Sequence, residues 1–490
     1  MAGPLRSLDP RLPVLVGLGA VDNAAPMADL MTDAVSTAAV DAGAPALLGR
    51  IDCIAVPQGS WALRDPARTV ARRVGSPGAR TLFCEIGVSQ QEVINHALAL
   101  VASGSADTVV VAGAEARAWA RDGGVETDEE NRPPDEVLTR PPDFVAPVEI
   151  TAGMVWPPVQ EYALIDNALG ASLGLPSDQQ RDEIAALWAR FNAVAVDNPA
   201  AAFPQRRSAA DIATPGPHNR PLAFPYNRWH SSQWTVNQAS ALLICSAERA
   251  REAGVPPERW LFPHVALHSS TAVTLTARRH LEQWPAMEVL GRAAMVHLDR
   301  PLHELRLAEV YSCFPAAVRV QQRALGLDPA GTPTLSGGMA FAGGPFNHFV
   351  LQSLCVLGAR LRAEPAEQGL LTTVSGMLSK PGLAVWSATP PAGLGAALRA
   401  DMAAEVVAAT EALPVVDIPP AASTAATVAS FTVTYGGDEG FDPVRTVIVA
   451  DLRDGVRTAA TCEDAGTARL AVTEGLIGRA VSVKDTTFSL

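Results

Sequence analysis

Two stretches of this chain, more than two hundred residues apart, are built alike, and few folds accommodate such a pair. Residues 84–102 (CEIGVSQQEVINHALALVA) read as a strand end, a glycine turn and a helix. Residues 336–361 open with SGGMAFAGGPFNHFV and continue as an apolar run, so they read as a glycine-rich loop entering a buried helix. Each helix leads through a polar turn into an apolar strand, ADTVVVAGAEA from Ala106 and GLLTTVSGM from Gly369. Ser89 followed by Glu92 is a capping box that marks the first helix start, and Pro345 suits the first position of the second. Taken singly, Gly337-Gly338 and Gly343-Gly344 are the punctuation of a tight turn, or glycines that let backbone approach a ligand closely. Taken together, the copies predict two helix N-termini whose free N–H groups can face an anion or oxyanion. If those ends converge, one site forms between two halves of the chain.

Composition bounds the rest. At 490 residues and 48% hydrophobic content the chain can bury a large core, in two to four domains. A net charge of −13 argues against nonspecific nucleic-acid binding, which needs clustered Lys and Arg on phosphates, but leaves small acyl or phosphate ligands open. Lys380 and Lys484 are the only lysines, so nearly all positive charge is arginine, and no partner follows from that. Six cysteines at 53, 84, 245, 313, 355 and 462 show no metal-ligand spacing and no disulfide framework, which fits a reducing compartment. The first residues lack an apolar signal region and no run approaches the roughly 18 apolar residues of a membrane span, so a cytoplasmic protein is expected. The C-terminal FSL lacks the basic middle residue of a peroxisomal address.

Along the chain, residues 13–19 read as a buried strand and 28–42 as a helix stopped by Gly43. Gly17-Leu18-Gly19 is not a dinucleotide fingerprint, because Asp22 stands where the third glycine belongs. With strands at 51–56 and 81–85, the first 120 residues alternate as a mostly parallel, covered α/β sheet does. Residues 121–142 (RDGGVETDEENRPPDEVLTRPP) are acidic, proline-rich and aperiodic, so an exposed mobile loop is expected. Residues 152–224 read as an inserted, mainly helical excursion. Its Arg206, Arg207, His218 and Arg220 could meet a phosphate, although exposed arginines are ordinarily just solvated. Sheet and helix return from Asn237, through the strand-loop LAEVYSCFPAAV, where Tyr311, Ser312 and Cys313 follow an apolar run. Cys313 reads better as packing than as chemistry. After residue 388 the composition shifts through a linker into strands at 427–435, 444–452, 456–461 and 476–483, a separate small β domain compatible with a five-stranded barrel of the OB type.

The motifs AGAEA, VNQASALLICS, VYSCF, GGMAFAGGP and VSG, in this order, resemble the thiolase superfamily, in the branch of sterol carrier protein X type thiolases and thiolase-like proteins of type 1. The resemblance spans roughly residues 10–390. It implies a thiolase fold of the α/β class: duplicated βαβαβαββ halves in a layered αβαβα arrangement, an inserted loop domain that binds coenzyme A, and a C-terminal small β-barrel, OB-like, of a kind that accompanies related sterol side-chain aldolases. The implied division is residues 1–120 with 228–255, an inserted domain at 121–227, a second half at 256–395 and the β domain at 396–490.

It also implies where chemistry should lie. Matching the nucleophilic-cysteine motif through Gln91 places Ile86, beside Gly87, at the cysteine. The Gly-His-Pro histidine falls on Gly344. The second cysteine, of Cys-x-Gly, falls on Val374 before Gly376, and the Asn-Glu-Ala-Phe or His-Asp-Cys-Phe position falls on Tyr311. Claisen chemistry needs a thiolate to carry the acyl group and a base to move protons. Losing nucleophile and base as a unit removes on the order of 10⁶ in kcat in a comparable hydrolase, so ordinary thiolase activity is not expected. Cys84 lies about 6.6 Å back along the strand from Ile86 and reads as an inert core thiol. Ser89 would need an adjacent base to act as a nucleophile, and reads instead as a cap.

The expected site is therefore Tyr311 and His348 as catalytic candidates, with Ser89, Ser312, Gly344, Asn347 and Gly376 around the substrate. Asn347 could point a donor at a thioester oxygen. No metal and no cofactor is expected beyond the CoA thioester itself. Three functions follow: an acyl-CoA-binding thiolase-like protein of the acetyl-CoA acetyltransferase superfamily without ordinary thiolase activity; a CoA-thioester retro-aldolase in which the Tyr311 phenol moves a proton; or a non-enzymatic partner subunit. The resemblance leaves monomer and homodimer open.

Overall fold

The computed structural model describes residues 8–140, 145–392, 396–417 and 423–490. Its first sheet runs, in spatial order, Pro13–Val21, Asn237–Ser246, Thr108–Ala116, Cys53–Pro57, Arg80–Cys84 and Glu136–Leu138. The last four strands are mutually parallel, while Asn237–Ser246 is antiparallel to both its neighbours. Val, Ile, Leu and Ala fill these strands continuously because helices cover both faces. The helices Met27–Asp41 and Pro66–Arg73 form the outer layer over this sheet.

The second sheet is ordered Leu307–Glu309, Gln368–Ser375, Lys380–Ser387, Phe262–His268 and Leu398–Asp401, with Pro285–Leu298 and Pro315–Ala324 on its outer face. Two of its four pairings are parallel and two antiparallel, so this sheet is mixed. The duplication is also incomplete. No strand runs between Ala324 and Phe346, where Pro329, Pro333 and five glycines from Gly331 onward remove ladder donors and rigidity.

Between the sheets lie the two repeated helices, Gln90–Ser103 and Phe349–Ala363. Val93, Ile94, Leu98, Val350, Leu351 and Leu354 pack with Leu15, Val111, Leu371 and Trp386 in one core, which completes the five-layer αβαβα stack. At about 1.5–3 kcal/mol for each fully buried large side chain, this shared core binds the halves together.

The inserted segment is mainly helical, as expected, with Val159–Ser172 and Ser177–Asp197 its long helices. The acidic stretch before it is not the mobile loop that composition suggests. Arg68 pairs with Asp65 at 2.9 Å and Asp135 at 2.8 Å, Arg72 with Glu130 at 2.5 Å and Arg73 with Glu129 at 2.6 Å. So anchored, the chain adds Glu136–Leu138 as an edge strand; residues 141–144 lie outside the described set.

At the C-terminus Ser423–Gly436, Asp442–Leu452, Arg457–Cys462, Thr487–Ser489 and Ala480–Lys484 close into a five-stranded barrel, since the first strand pairs with both the second and the last. A helix, Ala465–Glu474, joins its third and fourth strands in the chain, and Pro221–Ala223 of the insertion attaches at Thr434. Part of the preceding linker, residues 418–422, lies outside the described set. No helix among the described residues is long and apolar enough to cross a membrane.

Candidate functional site

The two repeated helices meet at their N-termini. Gln90, first residue of its helix, extends its side-chain carbonyl to accept the Val350 N–H of the other at 2.7 Å. Gln58 ties the same region from a third direction. Its Oε1 accepts from the Ile86 N–H at 3.2 Å, and its backbone carbonyl accepts from Asn347 Nδ2 at 3.0 Å. The second helix is entered through a short 3₁₀ turn, Phe346–His348, with Phe346 at φ 41°, rather than by one smooth run from Pro345.

The capping box is half formed. The Glu92 carboxylate accepts the Ser89 N–H, but the Ser89 hydroxyl makes no cap and is buried without a hydrogen-bond partner. An orphaned hydroxyl of this kind ordinarily costs about 1–3 kcal/mol.

The glycines of the second stretch serve close packing of protein on protein. A Cβ on Gly337 would stand 2.4 Å from Ala195 Cβ, one on Gly338 2.6 Å from Phe191 Cδ1, one on Gly343 2.4 Å from Gln238 Oε1, and one on Gly344 1.8 Å from Ser232 Oγ. The loop ahead of them is fixed by Glu309, whose buried carboxylate accepts from Leu335 N, Ser336 N, Ser336 Oγ and Thr334 Oγ1 at 2.6–3.0 Å. Burial nevertheless raises the Glu309 pKa. At Gly344, where the resemblance puts a histidine, the space is thus held by the Ser232 hydroxyl.

Ile86 is 39% exposed at the head of a turn in which Gly87 takes φ 108°. Arg140, following the edge strand, lies against Gly87. Facing this turn, the hairpin between Gln368–Ser375 and Lys380–Ser387 turns on Gly376, Met377 and Leu378, all at positive φ. Val374 is buried on its first strand. The hairpin touches the Gly87 turn directly: Ser375 Oγ donates to the Gly87 carbonyl at 3.3 Å, and the Lys380 ammonium donates to the same oxygen.

Lys380 is 1% exposed, and burial lowers its pKa to about 8, with Glu92 pulling it back up and Arg140 pushing it further down. Burial first and Asp401 second raise the pKa of that Glu92, and one helical turn on from Glu92, Asn95 bonds His268 Nδ1 at 2.8 Å. Nothing in local sequence patterning marks this lysine. Its rarity does, since the chain has two lysines among 38 Lys and Arg residues.

The residues singled out in the sequence are distributed as follows. Tyr311 is half-buried, edge-on to Phe349 with ring centroids 5.7 Å apart, and burial raises its phenol pKa. Ser312 is buried, its hydroxyl accepting from Met339 N at 3.1 Å. Asn347 spends its amide on Gln58. His348 packs its Cβ over Gly113, is 1% exposed, and has no hydrogen bond at either ring nitrogen. Desolvation lowers its pKa to about 3, so the imidazole is neutral. Cys84 and Cys313 are buried with raised thiol pKa values. In the insertion, the Arg207 guanidinium stacks 3.6 Å from the Trp229 ring centre, while Arg206, His218 and Arg220 are exposed. A cavity of about 390 Å³ is lined by Arg278, His280, Trp284 and the hairpin-turn residues Leu378 and Ser379. No group of metal-binding side chains occurs among the described residues.

No family model matches this sequence, and no curated protein matches it. Solved structures do. The chain is similar to a monomeric SCP2-thiolase-like protein type 1 from Mycobacterium smegmatis, with TM-score 0.82, 27% identity, and 98% of this chain and 99% of that one covered. The Ltp2-ChsH2(DUF35) aldolase shares the fold at TM-score 0.56 and 18% identity, over 77% of this chain and 98% of that one. So does human mitochondrial 3-ketoacyl-CoA thiolase, at TM-score 0.55 and 16% identity, over 78% and 100%. With its paired halves, central helices and closed C-terminal barrel, the protein is thiolase-like, and it resembles the SCP2-thiolase-like protein of type 1 along nearly its whole length.

Proposed function

We propose that the protein binds acyl-CoA in the cleft where the two central helices begin, and that it does not carry out ordinary thiolase chemistry. The observation that carries this reading is the Gly344 site. The backbone that would present a histidine is present, yet the Ser232 oxygen occupies the place of its Cβ. Together with Ile86 and Val374 at the two cysteine positions, this leaves neither a thiolate nor a neighbouring imidazole to activate one. The fold it shares with a 3-ketoacyl-CoA thiolase supports a CoA ester as the ligand class. Likeness to a monomeric type 1 protein supports a monomer, and sedimentation tests that. Cytoplasmic location remains part of the same proposal.

The test is thermal shift against CoA, acetyl-CoA, longer acyl-CoAs and steroid acyl-CoAs, beside a thiolysis assay. Ligand at a hundred times its Kd adds about 2.7 kcal/mol to the stability of the native state, a readable rise in Tm. A rise with no thiolysis is expected. Thiolysis at ordinary thiolase rates refutes the reading, and no rise with any ester points to the partner-subunit alternative.

Retro-aldol cleavage is the second reading, favoured by Tyr311 standing half-buried at the loop after Leu307–Glu309. Tyr311→Phe removes one hydroxyl, and loss of cleavage with retained binding would assign the phenol to proton transfer.

A further inference from the structure

Lys380 sits where this chain's own chemistry is otherwise thin. Its ammonium rests on the carbonyl of Gly87, the residue next to Ile86 in the turn that opens the first central helix. A Cβ on Gly87 would lie 3.7 Å from the Lys380 nitrogen. On the facing strand Lys380 pairs with Ser375, and two residues on, Gly382 pairs with Thr373. Side chains two apart on a strand share a face, so Lys380 points to the face where Gly382 meets Gln91 and Thr373. That face is polar and incompletely satisfied: Gln91 Oε1 and Thr373 Oγ1 are buried without hydrogen-bond partners. A buried amine on the same face as orphaned polar atoms suits a polar ligand atom better than apolar filler.

The choice of residue type points the same way. Of 38 Lys and Arg positions only two are lysine, and the other, Lys484, is exposed in the barrel. An arginine at position 380 could donate to the Gly87 carbonyl equally well, but a guanidinium does not release its proton in proteins, whereas a buried ammonium does.

We propose that Lys380 is a catalytic residue of this cleft, its neutral amine taking a proton from C2 of a bound acyl-CoA. In that step the N–H bond forms as the C2–H bond breaks. The C–H electron pair moves into the thioester, leaving an enolate with its charge on the carbonyl oxygen, and return of the proton from the ammonium restores the ester. No oxidant, reductant or second substrate enters. The inference rests on the acyl-CoA reading above. The groups that face the amine are Glu92 on the first central helix, Arg140 beyond the edge strand and, through Glu92, Asp401 on the outer strand of the second sheet, with His268 beside Asp401. Burial is the largest influence on the amine and places its titration near pH 8.

Exchange at carbon is the test. Acetyl-CoA is incubated with the full chain in D₂O and deuterium at C2 is read by mass spectrometry, while binding is followed by thermal shift. The wild type should wash deuterium into the methyl group at a rate that rises with pH and levels above about 8. Lys380→Arg and Lys380→Gln should each lose about 10²-fold or more of that rate, while the acetyl-CoA thermal shift persists. Lysine labelled at Cε with ¹³C gives two side-chain signals in this chain, and Lys380→Gln assigns the one that should titrate near pH 8. This readout needs no substrate. Exchange by Lys380→Arg at the wild-type rate, binding without exchange in the wild type, or a Lys380 signal that titrates only above pH 10 overturns the proposal. Absence of binding by any CoA ester, with the lysine signal still titrating near 8, overturns the acyl-CoA reading instead.

Discussion

Gly344→Ala reverses the sign ordinarily expected of its substitution. Gly344 has an unexceptional backbone conformation, so removing glycine there should stabilise by about 0.4–1 kcal/mol through the unfolded chain. In the folded protein the new Cβ would stand 1.8 Å from Ser232 Oγ and 3.2 Å from Ser232 Cβ. Rotating the hydroxyl relieves the first contact. The second needs the backbone of residues 231–233 to move, and Ser232 N and Gly344 N are tied by hydrogen bonds to Cys313 and Gln233 at 2.9 Å. Overpacking of this sort costs about 1–3 kcal/mol, so the net expectation is a loss of about 1–2 kcal/mol. Adding Ser232→Gly removes both offending atoms at a cost of about 0.5–1 kcal/mol for the new glycine. The pair should therefore be more stable than the sum of the singles by about 1–3 kcal/mol. Denaturant unfolding of the four proteins, followed by tryptophan emission, gives this coupling directly. Additivity within about 0.5 kcal/mol, or a stabilised single variant, would refute the claim that Ser232 holds the histidine site.

Two further expectations concern buried groups. The neutral, desolvated His348 has a native pKa of about 3, below its ordinary 6.5, so the native state refuses a proton that the unfolded chain accepts. Its contribution is complete above pH 6.5 and declines by up to about 1.4 kcal/mol per pH unit between 6.5 and 3; His348→Gln should flatten that limb of the stability profile, and an unchanged limb counts against burial of the neutral ring. All six cysteines are unpaired, five of them buried and Cys462 half-buried, so a thiol reagent should label at most Cys462 in the native protein and all six in denaturant. Rapid native labelling of Cys84 would contradict its placement in the core.

Much of the scaffold was legible because it is written in periods and punctuation. Continuous Val and Ala runs at 108–116 and 237–246 marked covered strands, the glycine-proline entry at 343–345 marked a helix start, and the regular turns after residue 436 marked a β domain. The missing strand after Ala324 and the anchored acidic stretch were not legible. The first depends on prolines weighed against a repeat, and the second on arginines more than fifty residues distant.

Sequence alone marked two stretches built alike and, through the resemblance, put Ile86, Gly344 and Val374 where a thiolase holds cysteine, histidine and cysteine, since identity at a matched position needs no coordinates; whether the two helix starts converge it left open. Only the tertiary structure decided what stands in their place. That Ser232 fills the space at Gly344, that His348 is sealed and neutral, and that Lys380 reaches the Gly87 carbonyl all depend on contacts between segments separated by more than a hundred residues. Such contacts are set by the packing of whole layers, and no local pattern encodes them.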